Sequence, residues 1–102
     1  MKDNQIAGCQ RIANYYGAPH QCMKTVEELS ELSVELMKMV NGEHGDLDRV
    51  FEEIADVSIM IEQLRFLLDP YRFDIDAIIS RKIQRQLGRI DAEKQEASEN
   101  VG

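Results

Sequence analysis

The sequence predicts an all-α protein of about four helices. Apolar residues recur at steps of three and four through most of the 102 residues, and no segment alternates with the two-residue period of a strand. Residues that can cap helices precede two of the apolar runs. Because a chain of this length accommodates one hydrophobic core, we expect a single helical domain over residues 1–90. A polar tail over residues 91–102 is expected to fray.

The first two predicted helices are separated by Gly17-Ala18-Pro19, which is expected to end the first helix and break the run. The apolar residues of the first helix are Ile6, Cys9, Ile12, Ala13 and Tyr16. The second helix is predicted from about Gln21 to Val40, and a loop follows. Its apolar stripe consists of Val26, Leu29, Ser33, Leu36, Met37 and Val40.

The third predicted helix starts at Asp46 as N-cap and ends before Asp69-Pro70. Its stripe consists of Leu47, Val50, Phe51, Ile54, Val57, Ser58, Ile61, Leu64 and Leu68. Ile59 and Met60 add apolar groups on other faces of the same helix. A helix that is apolar nearly all round has to be buried on more than one side. We therefore expect a homo-oligomer with Ile59 and Met60 at an interface.

The fourth predicted helix has Asp74 as N-cap, with Phe73 placed to contact Ile78 as a hydrophobic staple. Its apolar stripe consists of Ile75, Ile78, Ile79, Ile83, Leu87 and Ile90.

Composition excludes several classes of protein. A net charge of −7 argues against a protein that coats nucleic acid, and it suits cation binding. No apolar run has the length of a membrane span, and the first residues do not resemble a secretory signal. Cys9 and Cys22 lack CxxC spacing and are expected to be reduced thiols in a cytoplasmic protein. His20 and His44 are interpreted as solvated side chains rather than metal ligands.

Two pairs of carboxylates lie inside the most apolar helices. Glu28 and Glu31 are three residues apart in the second helix, with Glu35 on the same line, and Glu53 and Asp56 are three apart in the third. If the two helices pack antiparallel, the pairs meet and repel each other, and a hard divalent cation resolves the repulsion. Oxygen ligands alone favour Mg²⁺, with Mn²⁺ as a substitute, over zinc.

The same residues have a simpler interpretation. Acidic groups beside an apolar stripe are ordinarily solvated. Thr25-x-x-Glu28 also matches a capping box, in which Glu28 turns back to a backbone N–H group. Spacing alone leaves both interpretations open.

The fourth helix concentrates positive charge in an acidic chain. Lys82, Arg85 and Arg89 share one face of it, beside Arg81. Arg and Lys bind phosphate oxygens well, whereas a solvated basic face is the alternative. Carboxylate pairs together with a basic helix fit a metal–polyphosphate complex.

Glu28-x-x-Glu31, 21 further residues and then Glu53-x-x-Asp56 form a pattern that resembles the all-α nucleoside triphosphate pyrophosphohydrolases of the MazG-like family. The stretches 26–32 (VEELSEL) and 51–57 (FEEIADV) look like the two signature helices of that family, and 80–85 (SRKIQR) looks like its basic segment. Ser80 departs from the family pattern, since some members carry Asn there. The resemblance covers roughly residues 21–89.

This resemblance implies a MazG-like helical bundle that hydrolyses a nucleoside or deoxynucleoside triphosphate to the monophosphate and pyrophosphate. It implies dimers or tetramers as well. On the same resemblance we expect the four carboxylates to hold Mg²⁺, Glu31 to orient or deprotonate the water, and Lys82 and Arg85 to stabilise phosphate charge. The alternatives are a phosphoribosyl-ATP pyrophosphohydrolase, which commonly carries a His shortly after the position of Asp56, and a non-catalytic acidic helical adaptor.

Overall fold

The structure, a computed structural model, describes residues 1–43 and 47–101, and 90% of these residues are helical. Within these residues there are four helices and no strand, which confirms the all-α prediction. The helices are α1 (Asp3–Tyr16), α2 (Ala18–Val40), α3 (Leu47–Leu68) and α4 (Phe73–Val101).

The boundary between α1 and α2 lies at Gly17. Its φ of 84° is accessible to glycine at little cost, and its N–H donates to the carbonyl of Ala13 at 2.8 Å. Gly17 therefore ends α1 as predicted. The prediction that α2 starts near Gln21 is wrong, because α2 begins at Ala18 and contains Pro19 in its first turn. Proline lacks only an N–H that has no partner at that position, so it starts this helix rather than delaying it.

The ends of α3 and α4 correct one capping prediction. The α3 helix ends at Leu68, ahead of Asp69-Pro70, as predicted. The α4 helix begins at Phe73, so Asp74 lies in its first turn and is not the N-cap. Arg72, with a positive φ of 63°, turns the chain one residue earlier than expected. Phe73 is consequently inside the helix and does not hold the position of a staple residue.

Two further predictions concern the N-cap of the third helix and the C-terminal tail. The predicted N-cap Asp46, like His44, lies outside the described residues. The α4 helix continues through residues 91–101, so no helix end marks the predicted start of the tail. Fraying of that last stretch stays a prediction.

The chain forms two compact units, residues 1–71 and the segment that begins at Arg72. In the first unit, α3 packs against both α2 and α1. The second unit is α4, whose described side chains are almost all exposed.

The buried residues of the first unit are mostly polar. The buried apolar side chains are Cys9, Ala13, Val50 and Met60, whereas the buried polar ones are Gln21, Thr25, Glu28, Glu35, Glu62 and Gln63. The polar members from α2 follow one another at steps of four, three and seven residues, so they share the face of α2 that is buried. This polar face, not the predicted apolar stripe, is therefore the buried one.

The apolar stripes predicted as core are largely exposed. Val26 is 59% exposed and Met37 55% in α2, and Phe51 is 58% exposed in α3. Met60, predicted at an interface, is buried within the chain, while its neighbour Ile59 is 37% exposed. Hydrophobic periodicity identifies an apolar stripe without showing whether the same chain covers it.

An amide pair joins the two helices at one end of the buried polar face. Nε2 of Gln21 donates to Oε1 of Gln63 at 2.6 Å, and Nε2 of Gln63 lies 3.6 Å from Sδ of Met60. Both glutamines are buried, and each buried amide has a partner, as burial of polar groups requires.

Candidate metal centre

Three of the four predicted metal ligands lie together between α2 and α3. One carboxylate oxygen each from Glu28, Glu53 and Asp56 lies within 4.8 Å of the other two. Glu28 comes from the buried face of α2, and Glu53 and Asp56 occupy neighbouring turns of α3 at three-residue spacing. The structure therefore brings one member of the predicted α2 pair together with both members of the α3 pair.

Glu31 lies beside this group without belonging to it. Its side chain is exposed, and its negative charge is one of the causes that raise the pKa of Glu53. We refer to Glu28, Glu31, Glu53 and Asp56 as the carboxylate cluster. All four members interact, but only three are close enough to share one ion as the side chains stand.

Two oxygen atoms of the cluster are buried without a hydrogen-bond partner. Oε1 of Glu28 lies 3.2 Å from Nζ of Lys24, one turn earlier in α2. In the described part of the chain, Oε2 of Glu28 and Oε2 of Glu53 have no partner. A buried acceptor without a partner is costly, and an acidic one more so. The Glu28 side chain is only 10% exposed, so water does not readily replace the missing partner.

The cluster perturbs Glu53 most. Desolvation is the largest cause that raises the pKa of Glu53, followed by the negative charges of Glu31, Asp56 and Glu28. Hydrogen bonding to Glu31 raises this pKa further, because the protonated form of Glu53 can donate. Without a cation, the cluster therefore resists holding its full negative charge.

The arrangement excludes the capping-box interpretation of Glu28. Thr25 lies inside α2, seven residues after the helix begins, and is buried. Its hydroxyl donates to the carbonyl of Gln21 at 2.7 Å, one turn back. Glu28 therefore caps no helix end, and the solvated-flank interpretation fails for it as well, since its side chain is buried.

The donor set fits a hard divalent cation. Oxygen ligands about 2.1 Å from Mg²⁺ lie up to about 4.2 Å apart when they are opposed, and Ca²⁺ or Mn²⁺ allows slightly more. The 4.8 Å limit on the three oxygens therefore lies within a small side-chain rotation of a shared ion. The two buried oxygens without partners supply the lone pairs that such an ion requires.

The predicted phosphate-binding residues belong to the other unit. Lys82 and Arg85 are exposed on α4, one turn apart on the same face. Their part in the site stays a prediction.

Sequence reasoning noted Glu35 only as a third carboxylate on the line of Glu28 and Glu31. The structure shows it to be buried, with Oε1 3.4 Å from Nζ of Lys38 and 3.5 Å from Nε of Arg49. Neither cation was singled out. The available signal was spacing, because Lys38 follows Glu35 by three residues and Arg49 precedes Glu53 by four.

Both cysteines are free, as predicted, with Cys9 buried and Cys22 exposed. Burial, and then the charge of Glu62, raises the pKa of the Cys9 thiol. His20 is exposed and stacks on Tyr16, with ring centroids 4.7 Å apart. None of these groups contributes to the three-carboxylate set.

No protein-family model, no curated protein and no solved structure matches this chain. Along residues 1–43 and 47–101, no helix has an apolar stretch that reaches the length needed to cross a bilayer.

Proposed function

We propose that this protein is a Mg²⁺-dependent pyrophosphohydrolase that converts nucleoside or deoxynucleoside triphosphates to monophosphates and pyrophosphate. The observation that carries the proposal is the convergence of Glu28, Glu53 and Asp56 within 4.8 Å. Repelling carboxylates with buried, unpartnered oxygens gain most from a divalent cation, and Mg²⁺ is the ordinary companion of polyphosphate substrates. The resemblance to the MazG-like family supplies the reaction.

The cluster divides into holding and positioning roles. When bound, Mg²⁺ neutralises phosphate charge and lowers the pKa of a water molecule. Glu28, Glu53 and Asp56 hold the metal. Glu31 is exposed and lies outside the three converging carboxylates, so it is suited to orient the attacking water or to accept its proton.

Lys82 and Arg85 are the proposed phosphate-binding residues of α4. Arg presents a planar fork that matches two phosphate oxygens, and Lys presents a point charge. Positive charge aimed at a phosphoryl group stabilises the charge that develops on it. Ser80 replaces the Asn of some family members, so a polar substrate contact present there differs here.

We further propose that the protein self-associates as a dimer or tetramer in the cytoplasm. The exposed stripes of α2 and α3 contain large apolar side chains at helical spacing, of which Val40, Leu47 and Phe51 are 77%, 53% and 58% exposed. Contiguous apolar surface of this kind typically marks an interface. Two free cysteines are typical of a reducing compartment.

A panel of nucleoside triphosphates tests the reaction. Each is incubated with Mg²⁺, with Mn²⁺ or with chelator, and the products are separated as monophosphate, diphosphate, pyrophosphate and orthophosphate. We expect pyrophosphate and monophosphate in equal amounts, and none with chelator. Orthophosphate as the main product would instead identify a phosphatase.

The same panel separates the two alternative functions. Turnover confined to phosphoribosyl-ATP would support the histidine-pathway enzyme, although residues 57–61 contain no His after Asp56. A folded oligomer that turns over no nucleotide and whose melting temperature ignores millimolar Mg²⁺ would be the acidic helical adaptor.

A further inference from the structure

A second polar site adjoins the carboxylate cluster, toward the loop that joins α2 to α3. A cavity of about 320 Å³ there is lined by Glu31, Val34, Glu35, Lys38, Arg49 and Glu53. Two of these residues belong to the cluster, and two are cations. The cavity therefore opens from the negative cluster directly onto positive charge.

Glu35 fixes the two cations. Its side chain is 5% exposed, and its Oε1 accepts from Nζ of Lys38 at 3.4 Å and lies 3.5 Å from Nε of Arg49. A buried carboxylate retains its charge only when it is paired, so Glu35 holds both cations near it. Arg49 approaches Glu35 through Nε, and its side chain is 62% exposed, so the guanidinium group reaches solvent.

The ion-paired group of Glu35, Lys38 and Arg49 has one positive charge in excess, whereas the whole lining, which includes Glu31 and Glu53, is negative until a cation occupies the carboxylate cluster. Lys38 and Arg49 contribute two positive charges against the one of Glu35, in a chain whose net charge is −7. The side chains of Lys38 and Arg49 are 43% and 62% exposed, so both reach solvent. One cation is enough to balance the charge of Glu35, so the positive charge of the other cation is available to an anionic ligand.

The distance to the cluster suits a polyphosphate. Glu35 follows Glu31 by four residues, and Arg49 precedes Glu53 by four, so the two sites are one helical turn apart, about 6 Å along each helix. A chain of phosphate groups held at one end by a cation in the cluster extends over such a distance.

We propose that Lys38 and Arg49, positioned by Glu35, form a binding site for the terminal phosphates of a polyphosphate ligand, adjacent to the metal centre. The proposal rests on the proposed function, because it assigns the leaving pyrophosphate of the substrate to this site. Guanidinium binds two phosphate oxygens at once, and the ammonium group serves as a second charge.

Inorganic pyrophosphate is the probe for this site. Its affinity is measured by calorimetry in the presence of Mg²⁺, for the full chain and for Lys38→Gln and Arg49→Gln. The matched controls are Arg11→Gln on α1 and Lys94→Gln on α4, which remove exposed positive charges elsewhere. Mn²⁺ affinity without pyrophosphate is measured for every variant, and thermal melts confirm that each is folded.

We expect Lys38→Gln and Arg49→Gln each to weaken pyrophosphate binding about 10-fold or more, since each removes a charge-assisted hydrogen bond. The control variants should match the unmodified chain. Mn²⁺ affinity should stay level or rise slightly, because neither cation is a ligand. Arg49→Lys keeps the positive charge but loses the forked guanidinium group, so its pyrophosphate affinity should lie between those of Arg49→Gln and the unmodified chain.

If Lys38→Gln and Arg49→Gln bind pyrophosphate as tightly as the control variants do, the inference is overturned. It is also overturned if the unmodified chain does not bind pyrophosphate at all. The result is separable from the proposed function. If the protein binds pyrophosphate through Arg49 but releases none from any triphosphate, the binding site is supported and the proposed reaction is contradicted. If the protein hydrolyses triphosphates and Arg49→Gln changes neither turnover nor pyrophosphate affinity, the proposed reaction is supported and the binding site is contradicted.

Discussion

The two faces of α2 differ in a way that reverses the usual distribution of residues. The face with Gln21, Thr25, Glu28 and Glu35 is polar and buried. The face with Val26 and its apolar neighbours is exposed. Burying polar groups costs free energy, and leaving apolar groups exposed gives up the stabilisation that their burial would provide.

The difference teaches what each face is for. Each buried glutamine amide has a partner, whereas the carboxylate cluster has oxygens without one, so the cost is concentrated where a ligand can remove it. The exposed face has the composition of a core, and in the proposed oligomer a second copy of the chain covers it. The following predictions test the two faces, from the largest expected effect to the smallest.

Glu53→Gln tests the carboxylate cluster, to which the buried face of α2 contributes Glu28, at the member whose pKa is raised. We expect Mn²⁺ affinity to fall by more than about 100-fold and turnover to fall to background. Changing a residue that only hydrogen-bonds to a metal ligand typically lowers affinity by about 10- to 100-fold, so a larger loss identifies a ligand. Calorimetry with Mn²⁺ and pyrophosphate release from triphosphates measure both. Glu52→Gln, at the adjacent exposed position, is the matched control and should bind normally. Equal affinities for the two variants would remove Glu53 from the metal site.

Lys82→Ala tests whether the charge of α4 serves the buried face. Loss of one positive contact to a developing phosphate charge commonly lowers the rate by about 10²–10³, so kcat should fall by that amount. Mn²⁺ binding should be largely intact. Lys94→Ala, on the same helix, should be as active as the unmodified chain. Unchanged turnover in Lys82→Ala would assign this residue to a solvated basic face.

Met37→Asp tests the exposed face. It places a charge on a stripe proposed to be buried between copies, where one large apolar side chain contributes about 1.5–3 kcal/mol. The dissociation constant of the oligomer should rise by about 10- to 100-fold, measured by sedimentation over a range of concentrations. Ser30→Asp, at an exposed polar position of α2, should associate normally. An unmodified chain that is a stable monomer at micromolar concentration would contradict the oligomer.

The pH dependence of the metal-free protein gives the smallest effect. A carboxyl whose pKa is raised on folding destabilises the folded state above that pKa, and the penalty disappears as pH falls through it. Because the pKa of Glu53 is raised, the melting temperature without metal should increase modestly as pH falls from neutral toward the ordinary Glu range. Glu53→Gln should reduce this increase and leave stability at neutral pH level or higher. A steeper pH dependence in the variant would contradict the assignment.

The sequence predicts much of this structure because local signals dominate in helices. Gly17 and Pro70 mark real helix ends, and the three-residue spacing of Glu53 and Asp56 requires only that α3 be a helix. The convergence of Glu28 with that pair required one further assumption, that α2 and α3 pack against each other.

The remaining errors come from information that periodicity does not contain. Apolar repeats locate a stripe but not the molecule that covers it, so Met60 was assigned to an interface although it is buried within the chain. The ion pair of Arg49 with Glu35 joins residues 14 positions apart in different helices, and only the packing reveals it. Asp74 lost its expected role because Arg72 adopts a backbone conformation unusual for its residue type.

The amide pair between Gln21 and Gln63 has a consequence for the alignment of α2 and α3. Gln21, Glu28 and Glu35 are spaced by seven residues, so sliding α2 by two turns would present a polar side chain at two of the three vacated positions. Apolar packing would penalise such a slip only weakly, because few apolar side chains are buried between these helices. The amide pair favours the observed alignment, because only there does Nε2 of Gln21 donate to Oε1 of Gln63, whereas a glutamate in that place has no N–H group to donate.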